Sequence, residues 1–255
     1  RTGKYLLDSN INYADVVLAV SNPMMEYVKK IRQDNIELVT NGVDTDMFKP
    51  NLDTSALKKK YNIAGPVIGF VGTIEKWFDF ECIFYAFKEL VKEVPETKFL
   101  LVGDSIKTNY VEELRRLCRE LSIEDKLIVT GLVPYREVPA YINLMDVAVM
   151  PPLKKGLLMG KFALPNKVFQ YMACGVPVIS ASFPEIERIA GDVVTVVKSD
   201  EEFVASFQKL LRYGKKGEII DRGLEIARMN SWDSKARKIE MVFEEKLKSL
   251  GLEKP

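Results

Sequence analysis

Leu164 to Ser180 reads LPNKVFQYMACGVPVIS, a short helical pattern running straight into a short apolar strand. Pro165 suits the first turn of a helix, where its missing N–H would be unpaired anyway. Gly175 suits the left-handed position just past the helix end, so Cys174-Gly175 reads as a C-cap. At the other end, free first-turn N–H groups and the positive end of the helix dipole favour an anion. Asn166 and Lys167 lie in that first turn, with Gln170 and Tyr171 on the Lys167 face at spacings of three and four. Phe169, Met172 and Ala173 are left to pack on a sheet. A helix feeding a buried strand is one unit of an α/β fold.

Outward from this unit, apolar runs of strand length alternate with segments of helical period. Strands are expected at Val67 to Val71, Phe99 to Val102, Leu127 to Thr130, Val147 to Val149 and Val178 to Ser180. Strands apolar along their whole length, alternating with helices, predict an α/β fold: a Rossmann-like parallel sheet with helices on both faces. The strands end in GFVG, LLVGD and IVTG, which puts Gly72, Gly103, Asp104 and Gly131 at carboxyl ends, where open α/β sheets bind ligands. Tight strand-to-helix turns would also account for each glycine taken singly.

The composition is that of a soluble globular protein, 47% apolar and 29% charged over 255 residues. A formal charge of +1 without a dense basic run argues against nucleic acid as the main partner. No apolar run reaches the length of a membrane span. The three cysteines lack CxxC spacing and read as buried thiols of a reducing compartment. The chain contains no histidine, so a histidine base or histidine-ligated metal cannot come from it. Arg1 to Asn12 holds no complete unit, and one strand-helix-strand piece precedes NGVDTDMFKP; the sequence is expected to start inside a domain whose earlier part lies upstream.

ADVVLAVSNPMMEYVKK followed by IELVTNGVDTDMFKP resembles the domain junction of GT-B fold glycosyltransferases, family 4 in particular. VIGFVGTIEKWFDF, KFLLVGD and KLIVTGLVPYREVPAYINLMDVAVMPP resemble successive strands of that family's donor-binding domain. PNKVFQYMACGVPVIS resembles its K-x-x-E-x-M-A-x-G-x-P-V-V helix and strand. The resemblance spans roughly Asn12 to Leu247 and implies the C-terminal half of a GT-B fold. Residues 1–41 would be the end of an acceptor-side domain, 42–230 a nucleotide-sugar-binding domain, and 231–255 a helix crossing back toward the first.

The function so implied is a retaining, metal-independent hexosyltransferase that takes a nucleoside-diphosphate sugar as donor and needs no cofactor. Its acceptor, a glycan or a lipid-linked sugar, would meet the missing part. The implied location is the cytoplasm, with peripheral membrane contact only through that part. Gly72, Thr73 and Lys76 would meet the diphosphate, with Thr73 standing where the family usually has Arg. Gly103, Asp104, Gly131 and Val133 would border the nucleotide, and Pro165, Asn166, Lys167 and Gln170 the phosphates and ribose. Gln170 stands where the family usually has Glu, and Phe162 near its second Glu, which leaves Lys161 as a candidate for the sugar or as part of a solvated loop. Asp79 is a candidate helix N-cap, and Trp77 and Phe78 read as core or cleft wall. Asp44-Thr45-Asp46 has a D-x-D form but sits in a turn, where aspartates serve turn chemistry, so no metal is expected. Two alternatives stay open: a non-catalytic sugar-nucleotide-binding relative, and another GT-B enzyme such as a sugar-nucleotide epimerase.

Overall fold

The computed structural model describes residues 2–154, 164–213 and 217–252. Helix α1 (Thr2–Tyr13), strand β1 (Val17–Ala19), α2 (Asn22–Lys29) and β2 (Ile36–Leu38) come first, and β1 pairs with β2 in parallel. After α3 (Ser55–Lys60) comes the main αβ run: β3 (Val67–Val71), α4 (Phe80–Glu93), β4 (Lys98–Val102), α5 (Tyr110–Glu120), β5 (Leu127–Val129) and α6 (Val138–Asn143). It continues with β6 (Val147–Met150), α7 (Asn166–Ala173), β7 (Val178–Ala181), α8 (Pro184–Ala190), β8 (Thr195–Val197), α9 (Asp200–Tyr213), α10 (Gly217–Met229) and α11 (Trp232–Ser249).

The main sheet has the order β5-β4-β3-β6-β7-β8, with every pairing parallel. This is the doubly wound Rossmann order, in which the chain steps one way from β3, then returns to β6 and steps the other way. Right-handed crossovers then put the helices of the two halves on opposite faces. Helix α4 packs with α5 and α9, while α7 packs with α6 and α10. Residues of β3 are buried along their length, as a strand covered on both faces requires. Beside β3 and β4 the core is aromatic: Phe70 meets Phe80 edge-on at 5.0 Å, and Phe84 meets Phe99 at 5.1 Å.

The strands sit where the sequence placed them, within a residue or so. The sheet itself runs from Val67 to Val197, and the segment from Gly42 to Pro66 contributes turns and α3 rather than a strand. Asp44 Oδ1 accepts from the N–H groups of Asp46 and Met47, so it serves the turn. Asp79 caps α4 through its contact with the Cys82 N–H. Helix α11 lies beside β2, where Lys238 Nζ donates to the Leu38 carbonyl at 2.9 Å. It has no buried residue, and Trp232, Phe243 and Leu247 stay exposed. Among the described residues no helix is long and apolar enough to cross a membrane.

Candidate functional site

At the carboxyl ends of β3, β4 and β5, and facing the start of α7, lies an open cleft of about 440 Å³. It falls at the point where the strand order reverses, where a doubly wound sheet leaves a crevice. Two strand-end glycines, Gly72 and Gly103, form its floor. The Gly72 N–H donates to the Val102 carbonyl at 2.9 Å, and the Gly103 N–H to the Gly131 carbonyl at 3.1 Å. A Cβ on Gly103 would lie 2.1 Å from the Gly72 carbonyl oxygen, so only glycine lets the two turns approach this closely.

Helix α7 supplies the opposite wall. Its C-terminus is a Schellman cap, with Gly175 at φ +66°. The Gly175 N–H reaches the Met172 carbonyl at 2.9 Å and the Val176 N–H reaches that of Tyr171 at 3.0 Å. The N-terminus opens on the cleft, with Asn166, Lys167 and Gln170 in the lining. Pro165 occupies the N-cap position, one residue earlier than expected, and does not line the cleft. Tyr171 does not share the cleft face: it is fully buried, and its hydroxyl oxygen accepts the Val71 N–H at 2.9 Å, tying α7 to the end of β3.

Lys167 is the charged residue among the cleft's described lining. Its ammonium lies 5.1 Å from the Phe70 ring centroid and 5.4 Å from that of Phe78. A Cβ on Gly72 would come within 3.0 Å of its Cε, so the lysine stem lies across the end of β3. No described carboxylate offsets the charge, and burial pushes its pKa down to about 8. Gln170 Nε2 donates to the Tyr135 hydroxyl at 3.4 Å, and the Tyr135 ring meets Phe48 edge-on at 5.7 Å.

Of the residues anticipated from sequence, Gly72, Thr73, Gly103, Val133, Asn166, Lys167 and Gln170 line this one cleft. Gly131 supports its floor. Asp104 is turned to its own loop, its Oδ1 accepting the Ser105 N–H at 2.7 Å. Lys76 stands away from the lining: it is exposed and paired with Glu113 at 2.7 Å. Its neighbour Glu75 turns inward instead and accepts from the Ile106 and Lys107 N–H groups and the Thr108 hydroxyl, all within 2.8 Å. The Lys107 N–H bond leads the causes that hold the Glu75 carboxyl below its usual range. Lys161 lies outside the described residues. Glu75 and Tyr135 were missed from sequence. The available signals were a glutamate between Thr73 and Lys76 and an aromatic at the turn beside Val133.

Asn41 of the NGVD turn donates from Nδ2 to the Leu164 carbonyl at 2.9 Å, which steadies the approach to α7.

Comparison with known proteins places these features. The family model described as glycosyl transferases group 1 matches residues 65–213. A Bacillus subtilis protein named as a teichuronic acid biosynthesis glycosyltransferase, TuaH, is 28% identical over 239 residues, covering 90% of this chain and 56% of its own length. A GDP-mannose-dependent alpha-(1-6)-phosphatidylinositol monomannoside mannosyltransferase of Mycolicibacterium smegmatis is 29% identical over 147 residues, 57% of this chain and 38% of that protein. The chain thus spans about half the length, or less, of these relatives. Anabaena HepE in complex with UDP superposes with a TM-score of 0.79 at 18% identity, covering 92% of this chain and 65% of that one. The C-terminal domain of LpcC from Francisella tularensis superposes with a TM-score of 0.59 at 22% identity, covering 74% and 97%.

Proposed function

The chain belongs to the glycosyl transferases group 1 family and folds as the C-terminal half of a GT-B glycosyltransferase, and on that premise we propose that it holds the sugar-nucleotide donor of a family 4 enzyme. The reaction proposed is transfer of a hexose with retention at the anomeric carbon, without metal or cofactor. The observation that carries the proposal is Lys167, a partly buried ammonium without a carboxylate partner among the described residues, set where α7 opens on the cleft. Such a charge is costly to bury unless a ligand completes it. A diphosphate does so, with the first-turn N–H groups of α7 adding to the attraction.

In the transfer, the bond between the anomeric carbon and the β-phosphate oxygen breaks, and its electron pair leaves with the diphosphate. Lys167 and the start of α7 stabilise the charge that develops there. The acceptor hydroxyl oxygen forms the new glycosidic bond, and its proton passes to the departing diphosphate. Gln170 holds the ribose, the turn at Leu132 and Val133 borders the base, and the backbone at Gly72 and Thr73 faces the phosphates. Residues 42–230 then form the donor domain, with residues 1–41 closing the acceptor-side domain. The contact of Lys238 with Leu38 supports α11 as the segment that crosses between them.

Titration calorimetry with UDP, GDP and ADP in EDTA tests this. Binding of at least one at millimolar concentration or tighter is expected; no heat with any of them overturns the donor site. Gln170 and Thr73, standing where the family usually carries Glu and Arg, favour a second reading in which the chain binds the donor without transfer. A full-length protein that binds UDP-sugar yet neither transfers nor hydrolyses it would establish that alternative.

A further inference from the structure

Gln170 comes to the cleft from α7 and Tyr135 from the turn after β5, and the two meet there through the 3.4 Å contact between amide Nε2 and hydroxyl oxygen. Tyr135 is anchored on its inner side by the edge-on contact with Phe48, a fully buried residue of the NGVDTDMF turn. Its outer side is open, the residue being 56% exposed. A primary amide has one donor end and one acceptor end, whereas both oxygens of a carboxylate accept. With one N–H of its NH₂ on Tyr135, Gln170 leaves the carbonyl oxygen as its acceptor for a ligand.

We propose that Tyr135 is a positioning residue for ribose recognition: its hydroxyl orients the Gln170 amide so that Oε1 accepts from a ribose hydroxyl of the donor, making the cleft selective for ribonucleotides. The inference rests on the donor site described above and adds how an amide performs an acceptor's task there. It also makes the role of Tyr135 conditional on the side chain at 170. An amide must be turned the right way, and a carboxylate has no wrong way.

The test is calorimetry in EDTA on the whole chain, with UDP, GDP and ADP, their 2′-deoxy and 3′-deoxy forms, and inorganic pyrophosphate as the ribose-free control. Wild type is expected to prefer the ribonucleotide over one of its deoxy forms by about 5- to 10-fold, the scale of one hydrogen bond. Tyr135→Phe keeps the ring on Phe48 and should cut that preference below about twofold while leaving pyrophosphate binding unchanged. Adding Gln170→Glu to Tyr135→Phe should restore the preference. The inference is overturned if Tyr135→Phe keeps the wild-type ratio, or if it weakens ribo and deoxy forms equally, as loss of base stacking or a loosened fold would. Failure of Gln170→Glu to rescue overturns it as well. Absence of any nucleoside diphosphate binding by wild type would remove the donor site and this inference together, whereas tight binding with an unchanged ratio removes the inference alone.

Discussion

Lys167 shows why a binding residue can be a liability to the protein that carries it. Burial lowers its pKa to about 8 from the usual 10.5, so the ligand-free fold holds its proton less firmly than the unfolded chain does. Between pH 8 and 10.5 the unfolded state therefore binds more protons, and wild type should gain stability as pH rises through that window. Lys167→Met keeps the stem over Phe70 and removes the charge. It should abolish this slope in chemical denaturation, leave the free protein at least as stable at pH 7, and weaken UDP binding by about 1–3 kcal/mol. Binding itself runs the other way. A diphosphate stabilises the charged form, so affinity should be full below pH 8 and fall as pH rises through it, with proton uptake on binding near pH 8. Calorimetry in two buffers of different ionisation enthalpy measures that uptake. Equal binding by wild type and Lys167→Met would identify a surface lysine with no part in the site.

At the scale of elements, two glycines that look alike in sequence do different work. Gly175 ends α7 in a left-handed conformation, and a Cβ there would meet Pro50 and Ile220 at 3.3 and 3.4 Å, ordinary to slightly tight contact. Gly175→Ala should cost about 1–2 kcal/mol in urea unfolding and leave UDP affinity unchanged, because the cap lies at the far end of the helix from the cleft. Gly103→Ala would press a methyl into the Gly72 carbonyl, so the β3 turn has to move. Its expected signature is loss of UDP binding in calorimetry, beyond what any change in melting temperature accounts for. The cap at Gly175 was legible in the sequence. The close approach at Gly103 was not, because its neighbour is Gly72, in a different turn of the chain.

Across the whole molecule, the piece that precedes the junction is tied to the sheet domain by a few polar contacts. Glu185 of α8 is buried and accepts from the Asn22 N–H at 3.1 Å and the Asn22 Nδ2 at 3.2 Å, and Arg188 Nε lies 3.3 Å from it. Burial alone would raise its pKa, but the bonds from Arg188 and Asn22 outweigh this and hold it below the usual range. The contact is therefore complete above the ordinary carboxylate pKa and is lost as pH falls through the lowered one. Glu185→Ala should destabilise the chain by about 2 kcal/mol and speed hydrogen exchange in α2 before it affects the sheet. Unchanged exchange in α2 would mean that Glu185 does not hold this piece in place.

The sequence by itself determined the alternation of buried strands and helices, the parallel sheet that follows, and the end of each strand. Those depend on period and on local turn chemistry, which neighbours in the chain carry. It also placed Lys167 and Gln170 on one helix face, since helical spacing alone decides that. Only the tertiary structure decided that Lys76 turns out to Glu113 while Glu75 turns in, that Tyr171 props β3 instead of facing the cleft, and that Tyr135 reaches Gln170. Each of those outcomes is a contact between segments separated by at least 31 residues in the chain, the shortest being from Glu75 to Ile106. No local pattern encodes such a contact, because its energy exists only once the sheet has brought the two segments together.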